Sequence, residues 1–185
     1  MKRVCVFCGS QMGKDPYAGQ TFQLARALVR RGLGVVYGGG GIGLMRILAD
    51  TVRIECGEVI GVIPRGLAER ELAHPCLTEL HVVASMHERK ALMANLADGF
   101  LGLPGGYGTL DELFEILTWS QLGLLTVAGF FDPLLAWIDR AVAEDFIKPA
   151  CRGLLLDERE IEPLLDRFVP LLHAEAPISD VPPAG

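Results

Sequence analysis

The chain has no run of lysines or arginines, and its 17 basic against 23 acidic residues leave a formal charge of −6. A nucleic-acid backbone or an anionic membrane surface demands a concentrated positive face, so neither is expected as a partner. No apolar stretch reaches the ~20 residues of a membrane-spanning helix, and the amino terminus lacks the tripartite layout of a secretion signal, so a cytoplasmic location is expected. The only histidines, His74, His81, His87 and His173, show neither H-x-x-x-H nor H-E-x-x-H spacing, and no metal site is expected. Cysteines number five, an odd count scattered through apolar segments, which suits core thiols in a reducing compartment better than a disulfide framework. Cys5-Val-Phe-Cys8 does form a C-x-x-C, but inside a predicted strand residues three apart point to opposite faces and cannot share a metal.

What the chain has is apolar bulk and glycine. Half of its 185 residues are hydrophobic, enough for one domain with a full core, and no shift in composition marks a second. A single domain is expected over residues 1–176, followed by a disordered tail at 177–185 that holds Pro177, Pro182 and Pro183. Short apolar runs alternate with amphipathic segments, the rhythm of an α/β fold: a Rossmann-like, doubly wound, mostly parallel sheet with helices on both faces. Strands are predicted at Arg3–Cys8, Leu33–Tyr37, Glu58–Ile63, Leu80–Ala84 and Phe100–Leu103. Helices are predicted from an Asp15-Pro16 cap to about Arg31, from the Gly38–Gly43 loop to Glu55, over Gly66–Ala73, from a Ser85-Met-His-Glu88 capping box to Leu96, from about Leu110 to Leu122, from Asp132-Pro133 to about Glu144, and over Ile161–Leu172.

Open sheets of this kind bind ligands beyond the carboxyl ends of their strands, and two glycine loops converge on that rim. Gly38-Gly-Gly-Gly-Ile-Gly43 satisfies G-x-G-x-x-G between a strand and a helix, which raises the question of a dinucleotide such as NAD. The loop follows the second strand, however, and the third ends in Ile63-Pro-Arg65 with no acid to hold a ribose diol. A close-packing loop that walls a mononucleotide pocket fits better. The second loop, Leu103-Pro-Gly-Gly-Tyr-Gly-Thr-Leu-Asp-Glu112, runs from a strand end straight into a helix. Its glycines admit the close approach of an anion, and the first helical turn supplies unpaired N–H groups, so it points to a phosphorylated small molecule. Read only structurally, it is a tight turn.

Glu112 has two readings. Thr109-Leu-Asp-Glu112 fits a capping box, in which the acid satisfies a backbone N–H and does no chemistry; alternatively, the carboxylate acts on a ligand at the rim. Arg89-Lys90 is either a solvated helix face or a pair of cations beside the Pro104 loop. Two cations, a glycine cradle and a carboxylate on one rim are the parts needed to hold a phosphate and act on the sugar attached to it.

Taken together, Cys8-Gly-Ser10, Val36-Tyr-Gly-Gly-Gly40, Gly43-Leu-Met45, Glu58-Val-Ile-Gly-Val-Ile-Pro64, Ser85-Met-His-Glu-Arg-Lys90, Leu103-Pro-Gly-Gly-Tyr-Gly-Thr109 with Glu112, and Leu117-Thr-Trp119 before Gln121-Leu-Gly123 resemble the Lonely Guy family. These are cytokinin riboside 5′-monophosphate phosphoribohydrolases, many once labelled lysine decarboxylases. The resemblance runs to about Leu156. It implies a homodimer, without a cofactor, that cleaves the N-glycosidic bond of a purine nucleoside 5′-monophosphate, AMP included, to free base and ribose 5-phosphate. On matching positions it implies Arg89 and Glu112 as the catalytic pair. The substrate contacts it implies are those two with Lys90, Gly105, Gly106, Tyr107, Gly108, Thr109, Leu110, Asp111 and Thr118, and also Glu71 within Arg70-Glu-Leu-Ala-His74.

One departure from the family pattern stands out. Gln121-Leu-Gly123 is followed almost at once by Leu-Leu-Thr-Val-Ala-Gly129-Phe-Phe-Asp-Pro, about half a dozen residues short of the usual connection. Either the helix ends early and a brief strand follows, or a loop is missing. Two other functions compete with hydrolysis. A nucleotide-binding carrier module could use the same glycine loops without chemistry, and a decarboxylase would need pyridoxal phosphate on a lysine, of which only Lys90 is near the rim.

Overall fold

The computed structural model describes residues 1–71 and 73–173, with Glu71 and His173 given by their backbone alone. Its strands are β1 (Arg3–Phe7), β2 (Gly34–Tyr37), β3 (Val59–Pro64), β4 (Glu79–Val83), β5 (Gly99–Gly102), β6 (Leu122–Leu125) and β7 (Leu155–Glu158). They form one sheet in the order β4-β3-β2-β1-β5-β6-β7, with every neighbouring pair parallel. Helices cover both faces, which is why the inner strands are unbroken apolar runs, as in the fully buried Val-Ile-Gly-Val-Ile-Pro of β3. Strand β4 lies at one edge, and there Glu79, Leu80 and Val82 are exposed while His81 and Val83 are half-buried.

Helices α1 (Tyr17–Arg30), α2 (Gly43–Ile54) and α8 (Ile161–Phe168) pack on one face through Leu24, Leu28, Leu48, Leu164 and Phe168. On the other face, α4 (Met86–Leu96), α5 (Tyr107–Leu117) and α6 (Asp132–Ala143) contribute Met93, Leu113, Ile116 and Ile138. Pairs three or four apart, such as Leu24 with Leu28, form the buried stripe of each helix, and a fully buried leucine contributes roughly 1.5–3 kcal/mol. Short helices α3 (Arg65–Glu71) and α7 (Pro149–Arg152) follow β3 and precede β7. The pleat sends Cys5 into the α4–α5 layer and Cys8 into the α1–α2 layer, so the C-x-x-C is split between two cores. Burial pushes both thiols up, which makes them poor nucleophiles.

Several boundaries differ from the sequence expectation. Asp15 does not cap α1: Pro16 occupies the cap position, and no side chain bonds there. Helix α5 starts three residues before Leu110 and ends at Leu117, because Leu122 has left for β6, where it pairs with Phe100. The short connection is accommodated by this early end, a four-residue strand and a 3-10 turn over Val127–Gly129 that leads into α6. The last predicted helix stops at Phe168 and tightens into a 3-10 turn over Val169–His173. Neither α7 nor β7 was anticipated. The predicted tail at 177–185 lies outside the described residues.

Candidate active site

From β1 the chain winds outward to β4, then returns to β5 on the other side of β1. The loops after β1 and β5 therefore open over a shared crevice at the topological switch point. They are tied together there: the Gly9 N–H donates to the Pro104 carbonyl at 3.1 Å, and the Leu44 N–H at the start of α2 donates to the Gly9 carbonyl at 3.1 Å.

Helix α5 grows directly out of the second loop. Gly106, with extended backbone, is its cap residue, and no side chain closes the cap, so the N–H groups of Tyr107, Gly108 and Thr109 are the first-turn donors. Gly106, Tyr107 and Gly108 are exposed, as an anion site requires. A Cβ on Gly105 would stand 2.1 Å from Thr109 Oγ1, so only glycine lets the loop fold back onto its own helix. Thr109 is then the third residue of α5 and Glu112 the sixth. That register overturns the capping-box reading of Thr109 and Glu112, because the carboxylate stands more than a turn beyond the cap.

Helix α4 brings the opposing cation. Ser85 caps it by accepting from the Glu88 N–H at 3.1 Å; the reciprocal bond of the box is displaced by one residue, with Glu88 Oε2 accepting from the Ala84 N–H at 2.8 Å. Arg89, in the next turn, points inward and is 9% exposed, against 8% for Glu112. Arg89 Nη2 lies 3.6 Å from Glu112 Oε1, an ion pair slightly longer than a hydrogen bond. Burial pushes the Glu112 carboxyl up to about 7 while the Arg89 charge pulls against it. Arg89 Nη1 reaches Met86 Sδ at 3.7 Å, and the buried Nε has no acceptor among the described residues.

The guanidinium also has a seat. A Cβ on Gly38 would meet Arg89 Nη2 at 1.9 Å, so the loop after β2 must be bare at this point for the arginine to occupy its place. Gly43, at φ +60°, is pressed equally hard against the Ser10 backbone at 2.3 Å. Two glycines of G-x-G-x-x-G, Gly38 and Gly43, are thus required by close packing against an arginine and a neighbouring loop.

Lys90 bridges α4 to α5, with Nζ 3.1 Å from Asp111 Oδ2 and 2.5 Å from Glu115 Oε2, and its pKa is raised, chiefly by the hydrogen bond to Glu115. Two residues matched as substrate contacts, Lys90 and Asp111, thus meet each other in this state. A cavity of ≈ 200 Å³ opens between the two helices, with Glu112 and Lys90 on its wall and Phe7, Ile116 and Trp119 forming its apolar part. A second, of ≈ 240 Å³, lies against Gly105 and Gly106 and is lined by Met12, Tyr17, Leu44 and Phe130.

The fold therefore brings Arg89, Lys90, Gly105–Asp111 and Glu112 to one rim, with Leu110 half-buried. Thr118 is not gathered with them. It is the exposed C-terminal cap of α5, about 16 Å along the axis from Tyr107 at 1.5 Å per residue. The position of the Glu71 side chain lies outside the described residues. Sequence reasoning missed Gly38 as the seat of Arg89 and Trp119 as cavity wall; the glycine run was visible, but its partner 51 residues later was not.

The family model described as "Possible lysine decarboxylase" matches residues 45–167. The chain is 46% identical over 180 residues to the cytokinin riboside 5′-monophosphate phosphoribohydrolase LOG of Oryza sativa subsp. japonica, which spans 91% of this chain and 74% of that protein. The chain belongs to this Lonely Guy family. A cytokinin riboside 5′-monophosphate phosphoribohydrolase of Arabidopsis thaliana is 45% identical over 180 residues, 91% of this chain and 83% of the relative. Among solved structures, the molybdenum cofactor carrier protein of Chlamydomonas reinhardtii superposes with a TM-score of 0.72 at 16% identity, over 94% of this chain and 99% of that one. At that identity the likeness speaks for the fold alone. The decarboxylase description finds little support in the site: Lys90, the lysine at this rim, is clamped by two carboxylates, whereas a Schiff base with pyridoxal phosphate needs a free amine.

Proposed function

We propose that this protein is a phosphoribohydrolase that cleaves the N-glycosidic bond of purine nucleoside 5′-monophosphates, cytokinin riboside 5′-monophosphates and AMP among them. The observation that carries this reading is a buried carboxylate, Glu112, set against a buried Arg89 just past a helix start built to take an anion. The 5′-phosphate docks on the Tyr107–Thr109 amides, and the sugar then lies towards Glu112. As the bond from the anomeric carbon to the base nitrogen breaks, positive charge develops on the ribose. The Glu112 carboxylate stabilises that charge and takes a proton from the incoming water, whose oxygen bonds to the anomeric carbon, while the leaving base takes a proton from solvent and Glu112 afterwards returns its own to solvent. A carboxyl at about 7 is well matched to this exchange near neutral pH. Arg89 fixes the carboxylate opposite and offers its guanidinium to the sugar or phosphate oxygens.

The reading includes a homodimer. Tyr107 is 94% exposed at the start of α5, and Phe114 and Trp137 form an exposed edge-to-face pair at 6.1 Å on the same side of the sheet, a surface suited to burial by a second copy. Thr118, remote from the rim of its own chain, would contact substrate only across such an interface. The five free cysteines favour a reducing, cytoplasmic setting, and no helix among the described residues is long and apolar enough to cross a membrane. Incubation of the purified protein with a panel of nucleoside 5′-monophosphates, with chromatography for free base and ribose 5-phosphate, tests the function. Equimolar release of both products is expected; nucleotide that binds and returns intact would make the protein a carrier.

A further inference from the structure

We propose that His74 is a positioning residue for Arg89, acting through the Gly38–Gly40 loop. His74 is a buried polar side chain at 5% exposure, and both ring nitrogens are engaged. Nδ1 lies 3.2 Å from the Cys76 N–H and accepts from it, which puts the ring proton on Nε2, 2.9 Å from Asp50 Oδ1 on α2. A ring held on both sides acts as a strut. Its backbone extends the strut to the arginine seat: the His74 N–H donates to the Gly39 carbonyl at 3.1 Å, and Ala73 bridges Gly40. Tyr37 closes the other side of the loop, its hydroxyl 3.3 Å from the Gly40 carbonyl.

The loop held in this way is the one whose bare Gly38 admits the guanidinium, where a single added carbon would sit 1.9 Å from Arg89 Nη2. A seat with so little clearance transmits any shift of the loop to the arginine, and through it to Glu112. The same anchor holds Ala73 and His74, which follow α3 (Arg65–Glu71) in the chain. His74 therefore stands between α2, the arginine seat and the segment that carries a matched substrate contact.

This inference rests on the phosphoribohydrolase reading, so the test has one arm that does not depend on turnover. Folded His74→Ala and Asp50→Ala are expected to lose kcat on AMP by on the order of tenfold to a hundredfold, with a smaller change in KM. Asp50→Asn, whose amide oxygen still accepts from Nε2, is expected to keep wild-type turnover. The NMR signal of the Arg89 Nε–H, assigned by its absence in Arg89→Lys, is expected to move in the two alanine variants and to stay in place in Asp50→Asn. Should His74→Ala fail to fold, Asp50→Ala carries the test. An unmoved Arg89 signal with wild-type turnover in either folded alanine variant would overturn the positioning role. If wild-type protein released no base, the hydrolase reading would fail, while the Arg89 signal would still decide whether His74 sets the arginine.

Discussion

Replacing Glu112 with glutamine should make this protein more stable at alkaline pH. Its carboxyl is raised from 4.5 to about 7, chiefly by burial, despite the favourable charge of Arg89. Because the folded state holds this proton more tightly than the unfolded chain, the group's stabilising contribution is complete below pH 4.5. It is lost as the pH rises to about 7 and stays lost above. At ~1.36 kcal/mol per pKa unit, the ionised carboxylate costs the fold roughly 3 kcal/mol at pH 8. Glutamine has the shape of the protonated acid and never ionises, so Glu112→Gln removes this cost. For a chain of this size the gain corresponds to a rise in Tm of roughly 6–12 °C at pH 8, shrinking to nothing near pH 4.5. Thermal unfolding of both proteins from pH 4.5 to 9, followed by circular dichroism, measures the difference. Equal Tm values at pH 8, or a less stable glutamine variant, would show that the carboxylate makes stabilising contacts that outweigh its burial. The placement of Glu112 as a functional group whose charge costs the fold stability would then be wrong.

Gly38→Ala should leave the secondary structure intact yet reduce kcat on AMP by about a hundredfold, since its Cβ would stand 1.9 Å from Arg89 Nη2; steady-state kinetics with wild-type kcat would contradict the seat. Gly105→Ala, 2.1 Å from Thr109 Oγ1, should disturb the phosphate-binding turn instead and raise KM by about tenfold more than it lowers kcat. The pH profile of kcat/KM should have an acidic limb near 7, activity falling about tenfold per pH unit below it as Glu112 is protonated. A profile flat down to pH 5 would remove Glu112 as the base.

The central sheet was legible because parallel strands covered on both faces are continuous apolar runs, and β1, β2, β3 and β5 fall within a residue or two of their predicted limits. Strand β7 was not, because Leu-Leu-Asp-Glu at the sheet edge is mostly half-buried and lacks that signature. The start of α5 was concealed by Gly106 and Gly108, poor helix formers that read as loop, and its end by Leu122, an apolar residue close behind Leu117 that belongs to a strand and lies off the stripe of Leu113, Ile116 and Leu117. In the site, the glycine loop and the paired charges of Arg89-Lys90 were visible as motifs. Which glycine faces which charge was not, because Gly38 meets Arg89, and Asp50 meets His74, only through strand order and helix packing.

The most direct test of the central claim compares wild type and Glu112→Gln in a single-turnover reaction with AMP, quantifying adenine and ribose 5-phosphate by chromatography and nucleotide binding by calorimetry. Wild type should release both products in equal amounts, and the glutamine variant should bind AMP while releasing them about a thousandfold more slowly. Release at the wild-type rate by a folded Glu112→Gln protein would contradict the account.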